Sequence, residues 1–275
     1  MSKKSLEQFF SRPQNLPQIP QVVKDLIATF NDPDTDVRTV AKKIGMDAVI
    51  TAKTLRLANS ARYGRSRQVA TVNEAAVRLG LDVLRNMVLA AGLVDIYPSV
   101  PHFDLKEFWR QSFCVGELCR LLSSKAQCDS ELGFTCGMLH NIGELIIHAT
   151  EPELAAELDE RVAAGEARAY AEHAVLGFTY AEVGAELSSR WLFPDVIQLA
   201  IRNQRVPLLA EPFSQYAALV YMAAYLQRHE ELSEDTPVDW PLQLAIKLKI
   251  DWNFAREAWL KVKEEGSAYS MLLEN

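Results

Sequence analysis

At 275 residues, 49% of them hydrophobic and only twelve each Gly and Pro, the chain fits one large or two small globular domains and is not a disordered or fibrous one. Its net charge of −7 argues against a dedicated nucleic-acid binder, although residues 1–70 hold twelve Lys/Arg against six Asp/Glu. Cys114, Cys119, Cys128 and Cys136 show no zinc-ligand spacing and read as reduced core thiols.

The opening MSKKSLEQFF has charges but no apolar segment of a signal peptide. The longest uncharged apolar run, Met87 to Val94, is far short of the ~20 residues a membrane helix needs, so a cytoplasmic protein is expected.

Residues 1–20 read as an arm, with Leu6, Phe9 and Phe10 able to dock on the body and Pro13, Pro17 and Pro20 forbidding a longer helix. From Gln21 the periodicity is helical nearly throughout. One stripe ends at 31–33; Asp36 and Asp47 are plausible N-caps for the next two helices. Further helices are predicted from Asn73 to Leu79 and from Asp82 to Asp95. Pro98 and Pro101 then interrupt the chain, which divides it into a helical part over 1–100, a second over 101–230 and a C-terminal extension over 231–275. Helices are predicted near 104–126, 131–149, 152–164, 167–175, 179–192, 195–204, 213–228, 240–249 and 253–264. No stretch alternates with period two, so the fold class is all-α. Trp191, Tyr216, Tyr221 and Tyr225 are spaced for helix packing, and Trp240, Trp252 and Trp259 for packing the extension onto the body.

The stretch from Glu131 to Ala149, ELGFTCGMLHNIGELIIHA, is apolar on every side of a helical wheel and is expected to be one buried central helix. Gly133, Gly137 and Gly143 make sense there if neighbouring helices approach the backbone closely. His140 and Asn141 must find hydrogen-bond partners in such a place. His140, Glu144 and His148 follow at four-residue steps, but the two histidines stand ~12 Å apart along the axis, too far to share one ion. One His does not hold a metal, and Asn in place of Asp supplies a weaker, uncharged oxygen. The loop Arg62-Tyr63-Gly64-Arg65-Ser66-Arg67 sets three guanidinium groups beside a ring. With Asn59 it could receive a phosphate or an acidic partner helix, or be a solvated turn.

With those residues in view, the chain resembles the HDOD family, the HD-related output domains of bacterial signalling proteins. The resemblance covers roughly residues 14–230. Its blocks are LPQIPQVVKDLI at 16–27, NDPDTDV at 31–37, TLRLANSARYG at 54–64 and VNEAAVRLGLDVLRN at 72–86. They continue with FWRQS at 108–112, GMLHNIGELII at 137–147, LGFTYAEVGAELSSRWLFP at 176–194 and AIRNQRVP at 200–207. The fold this implies is an HD-domain/phosphodiesterase-like helical core with an N-terminal helical subdomain.

The resemblance also implies where a catalytic relative would hold its metal, and what stands there instead. Gln111 takes the place of a histidine on the FWRQS helix. His140 is kept, Asn141 replaces the aspartate, and Glu144 stands where HD-GYP relatives place a lysine. Tyr180, Gln204 and Arg205 replace three further histidines, and Ala224 a later aspartate. The implied function is a non-catalytic signal-transduction module, without cofactor, acting on other signalling proteins either in trans or as a stand-alone output protein. A small ligand or nucleotide in the remnant pocket is a variant of that reading. The alternative is a metal-dependent phosphohydrolase or cyclic-dinucleotide phosphodiesterase with atypical ligands, for which Glu144 and Glu172 are the available acids.

Overall fold

Five aspartates set the starts of five helices: Asp36, Asp47, Asp104, Asp129 and Asp251 each accept a backbone N–H from the turn that follows. The computed structural model describes residues 5–12, 16–31, 35–64 and 68–274. The helices are α1 (Leu6–Phe10), α2 (Gln21–Ala28), α3 (Val37–Ile44), α4 (Ala48–Ala58), α5 (Val72–Leu79), α6 (Leu81–Leu93), α7 (Leu105–Ala126) and α8 (Ser130–Leu139). They continue with α9 (Ile142–Thr150), α10 (Pro152–Ala163), α11 (Arg168–Val175), α12 (Tyr180–Arg190), α13 (Asp195–Asn203), α14 (Gln215–Gln227), α15 (Leu242–Leu248) and α16 (Trp252–Glu265). A final 3₁₀ segment spans Ala268–Leu273. Among the described residues there is no strand, as the all-α expectation requires, and no helix is long and apolar enough to cross a membrane.

Helix α7 is the axis of the fold: α8 and α14 lie along it, and α16 and the last 3₁₀ segment pack on its other sides. Helices α9, α12 and α13 form a second layer, and α2 to α6 build the N-terminal part, which reaches the rest through α6 on α8. The arm does dock. Phe9 and Phe10 are buried, with Phe9 edge-on to Phe178 at 5.4 Å.

Helix α5 begins at Val72, one residue earlier than Asn73 suggested, because the Thr71 hydroxyl accepts the Glu74 N–H. The larger departure concerns the central stretch. It is two helices, α8 and α9, with His140 and Asn141 between them. Its glycines do mark close crossings. A Cβ on Gly137 would lie 2.7 Å from Gly116 Cα, and one on Gly143 would lie 2.0 Å from Tyr180 O and 2.6 Å from Gly184 N. Apolar burial is therefore continuous through the break, but the helical hydrogen-bond ladder is not.

A second structural centre joins the N-terminal part to the rest. Glu117, fully buried on α7, is paired with Arg120 at 2.7 Å and with Arg62 at 3.0 Å. Arg120 also reaches Glu131 at 2.9 Å, and Glu131 accepts from Asn86 of α6. Above them the Tyr269 ring, 0% exposed, stacks on Phe134 at 4.6 Å and meets Phe113 and Tyr63. Ser267 closes the joint by donating to Glu117 Oε1 at 3.2 Å.

Candidate functional site

The break at His140 follows from where its polar groups go. His140 is still helical (φ −55°, ψ −35°), whereas Asn141 at φ −109°, ψ 15° has left the helix. The Gln204 Nε2–H captures the His140 carbonyl oxygen at 2.5 Å, the acceptor that a continuous helix would have used. Asn141 Oδ1 lies 2.9 Å from Ser112 Oγ, which is also 2.8 Å from Phe108 O, so one hydroxyl hydrogen serves both acceptors. His140 Nδ1 lies 2.7 Å from the Gly137 carbonyl oxygen. That contact places the proton on Nδ1, since a carbonyl only accepts.

Burial drives the His140 pKa down to about 4, the bond to Gly137 opposing it. The imidazole is 8% exposed and neutral at pH 7. Its folded pKa lies below the unfolded value of about 6.5, so the unfolded chain takes up the proton first as pH falls. Stability is complete above pH ~6.5 and about 3 kcal/mol of it is lost by pH ~4. We expect urea unfolding at pH 7 and pH 4 to show the wild type losing that much more stability than His140→Gln. Equal losses in the two chains would place His140 in contact with water.

Linked to the His140 carbonyl through Gln204 and Tyr180 is a cluster centred on Arg168. Its guanidinium holds Glu144 Oε1 at 2.8 Å and Glu172 Oε1 at 3.0 Å. Local sequence dictates this arrangement. Arg168 and Glu172 stand one turn apart on α11, and a capping box between Thr179 and Glu182 fixes the start of α12. That start presents the Tyr180 N–H to Glu172 Oε2 at 3.3 Å, at the helix end where the dipole favours a carboxylate. The Tyr180 ring lies under Arg168 and Arg205, at 5.5 and 5.7 Å, and its hydroxyl donates to Gln204 Oε1 at 3.4 Å. Burial works against the Arg168 charge, but Glu144 and Glu172 outweigh it and its pKa is raised. Glu172 is fully buried; burial raises its pKa against the pull of Arg168.

Of the residues singled out in the sequence, His140, Asn141, Glu144, Tyr180, Gln204 and Arg205 lie in this linked assembly. Gln111 does not. It sits on the exposed side of α7, donates to Glu107 at 3.0 Å, and lines a separate 410 Å³ cleft with Trp259 and His229. Its neighbour Ser112 faces Asn141 instead. The signal was available: 108, 109, 112, 113 and 116 form the buried stripe of α7, and one residue along a helix turns the side chain by about 100°. Arg168 is the other residue missed, though its i,i+4 spacing from Glu172 was in plain view.

The proposed anion-contact set is corrected in part. Asn59 donates to Leu55 O and Val69 O and accepts from Val69 N, and so ties the loop shut at its base. Arg62 turns inward to Glu117. Arg65 and Arg67 lie outside the described residues. His148 is buried against the Phe103 ring at 4.2 Å, with Asp159 Oδ2 at 3.7 Å.

The donor set does not fit a divalent cation. Among the described residues no three His, Cys, Asp or Glu side chains converge as metal ligands, and Arg168 already occupies both acids of the site.

The HDOD domain family model matches residues 16–207. A protein of Treponema pallidum (strain Nichols) named only as uncharacterized is 27% identical over 233 residues, which is 83% of this chain but 45% of that one. The chain thus spans a little under half the length of that curated relative. Among crystal structures, a candidate phosphohydrolase from Shewanella amazonensis SB2B is 34% identical, with TM-score 0.85 and 99% of each chain covered. An HDOD domain protein of unknown function from Geobacter sulfurreducens shares 24% identity and a TM-score of 0.73, over 98% of this chain and 91% of that one. A Marinobacter aquaeolei VT8 protein, a candidate for signal transduction by name, shares the fold at 21% identity and TM-score 0.80, over 100% of this chain and 63% of that one.

Proposed function

The chain belongs to the HDOD domain family, and from that premise we propose that it is a cytoplasmic signalling module that recognises protein partners and does not hydrolyse phosphate esters. One observation carries the reading. The two acids that a hydrolytic relative could turn toward a metal, Glu144 and Glu172, are held by the guanidinium of Arg168. A resident cation of the protein's own supplies the positive charge at the remnant HD site, and His140 Nδ1, Asn141 Oδ1, Gln204 and Tyr180 are engaged with neighbouring groups. A site so saturated supports the architecture around it. Changing one residue that orients a metal ligand costs about 10–100-fold in affinity or activity, and here the ligands themselves are replaced.

The enzyme reading has its own support in the 34% identity to the candidate phosphohydrolase of Shewanella amazonensis. Elemental analysis separates the two. Purified protein is expected to carry no stoichiometric Mn, Fe or Zn, and to turn over neither cyclic dinucleotides nor phosphate monoesters with added Mn²⁺. One ion per chain that is lost in His140→Ala, together with His140-dependent turnover, would replace the module with an enzyme.

A further inference from the structure

We propose that the last 3₁₀ segment, Ala268–Leu273, is a displaceable strap lying in a peptide-docking slot, and that the slot's other occupant is a partner peptide bearing a tyrosine with an acidic residue five positions on. This rests on the reading of the chain as a binding module, and it names the surface that binds.

The walls of the slot and its filling come from different parts of the chain. Tyr63, Phe113, Arg120 and Phe134 lie within the matched family region, 16–207, whereas the ring they enclose, Tyr269, lies beyond it. Three seats define what fits. Ser267 donates to buried Glu117, Tyr269 fills the aromatic slot, and Glu274 pairs with Arg56 of α4 at 3.3 Å. Acceptor, aromatic cavity and guanidinium follow one another along the groove, so the recognised chemistry is a hydroxyl, then a tyrosine, then a carboxylate.

The slot is also incompletely satisfied with the strap in place. Ser60 Oγ and Arg120 Nε are buried at or beside it without a hydrogen-bond partner, and the Tyr63 and Tyr269 hydroxyls meet each other. Each unpaired group costs free energy that the burial of Tyr269 and Leu272 must offset. The strap is anchored at its centre by Tyr269, and its ends are lightly attached. It joins α16 through Gly266, at φ 65°, a conformation that glycine adopts without strain, and its far end is held by the exposed Arg56–Glu274 pair. A cleft of 660 Å³ runs between Ser60–Arg62 and the strap, giving an incoming peptide room to engage before the strap leaves. Elements of this kind open at the low end of a fold's stability range.

The test uses a fluorescein-labelled synthetic peptide of residues 266–274 and the full chain. A strap tethered by a short linker competes at millimolar effective concentration, so Tyr269→Ala is expected to bind the peptide about tenfold or more tighter than the wild type. A peptide with alanine for its tyrosine is expected not to bind. Should Tyr269→Ala fail to fold, Glu274→Arg releases only the exposed end and is expected to bind more tightly than the wild type. Hydrogen exchange on the wild type supplies an independent readout, with amides 268–273 expected to exchange at least about a hundredfold faster than those of α7. Equal peptide binding by all chains, binding by none, or strap protection equal to that of α7 would overturn the proposal. So would concentration-dependent dimerisation of the wild type without peptide binding, which would give the slot to a second copy. Metal content and turnover test the module reading separately.

Discussion

Replacing Gly143 by alanine is expected to destabilise the protein by about 3 kcal/mol or more, lowering Tm by roughly 6–12 °C. Alanine is ordinarily the better helix former of the two, so the sign itself is diagnostic. The added methyl would stand 2.0 Å from Tyr180 O and 2.6 Å from Gly184 N. Both are backbone atoms, which no rotamer change moves aside. Helices α9 and α12 would have to separate by more than about 1 Å to restore ordinary contact, and Tyr180 would travel with α12 away from Gln204 and Arg168. Gly184→Ala is a milder change at the same crossing. Its methyl would meet Ile201 Cγ2 at 3.0 Å and Gly143 N at 3.3 Å, contacts that a shift of a few tenths of an ångström relieves, so a smaller loss is expected. Chemical unfolding of both variants decides the matter: equal stability would mean that the crossing is looser than described.

The second large effect is expected at Arg120. In Arg120→Met, Glu131 loses its cation and buried Glu117 keeps only Arg62, so about 3 kcal/mol is lost, toward the lower end of the range for breaking a buried pair. Adding Glu117→Leu to Arg120→Met removes the stranded charge and is expected to recover part of that loss. This follows because apolar replacements of whole buried pairs are often close to neutral. A loss below about 1 kcal/mol in the single variant would show that water reaches Glu117.

Much of this was legible in the sequence because it is local. Helix starts follow from Asp36 and Asp47, the crossings from Gly133, Gly137 and Gly143, and the family from ordered blocks of residues. The break between α8 and α9 was not legible, because it is made by Gln204 and Ser112, which are distant in sequence and capture groups that a helix would otherwise satisfy. Gln111 is one residue out of phase with the buried stripe of α7, so the position that the family resemblance implies points away from Asn141 and Ser112 points toward it. The role of Arg168 was not legible because Glu144, the acid it holds together with Glu172, lies on a different helix and twenty-four positions earlier. The inward turn of Arg62 depends on Glu117, fifty-five positions away in the sequence, and no local spacing announces it.

The joint around Tyr269 also constrains how the chain is made. Ser267 reaches a residue 150 positions earlier and Glu274 one 218 positions earlier, so the aromatic slot stays open during synthesis until almost all of the described chain has left the ribosome. Contacts so distant in sequence form slowly. Until they do, the nascent protein carries a bare groove with a buried-type charge pair at its floor, the form in which it is most exposed to chaperones and to neighbouring copies.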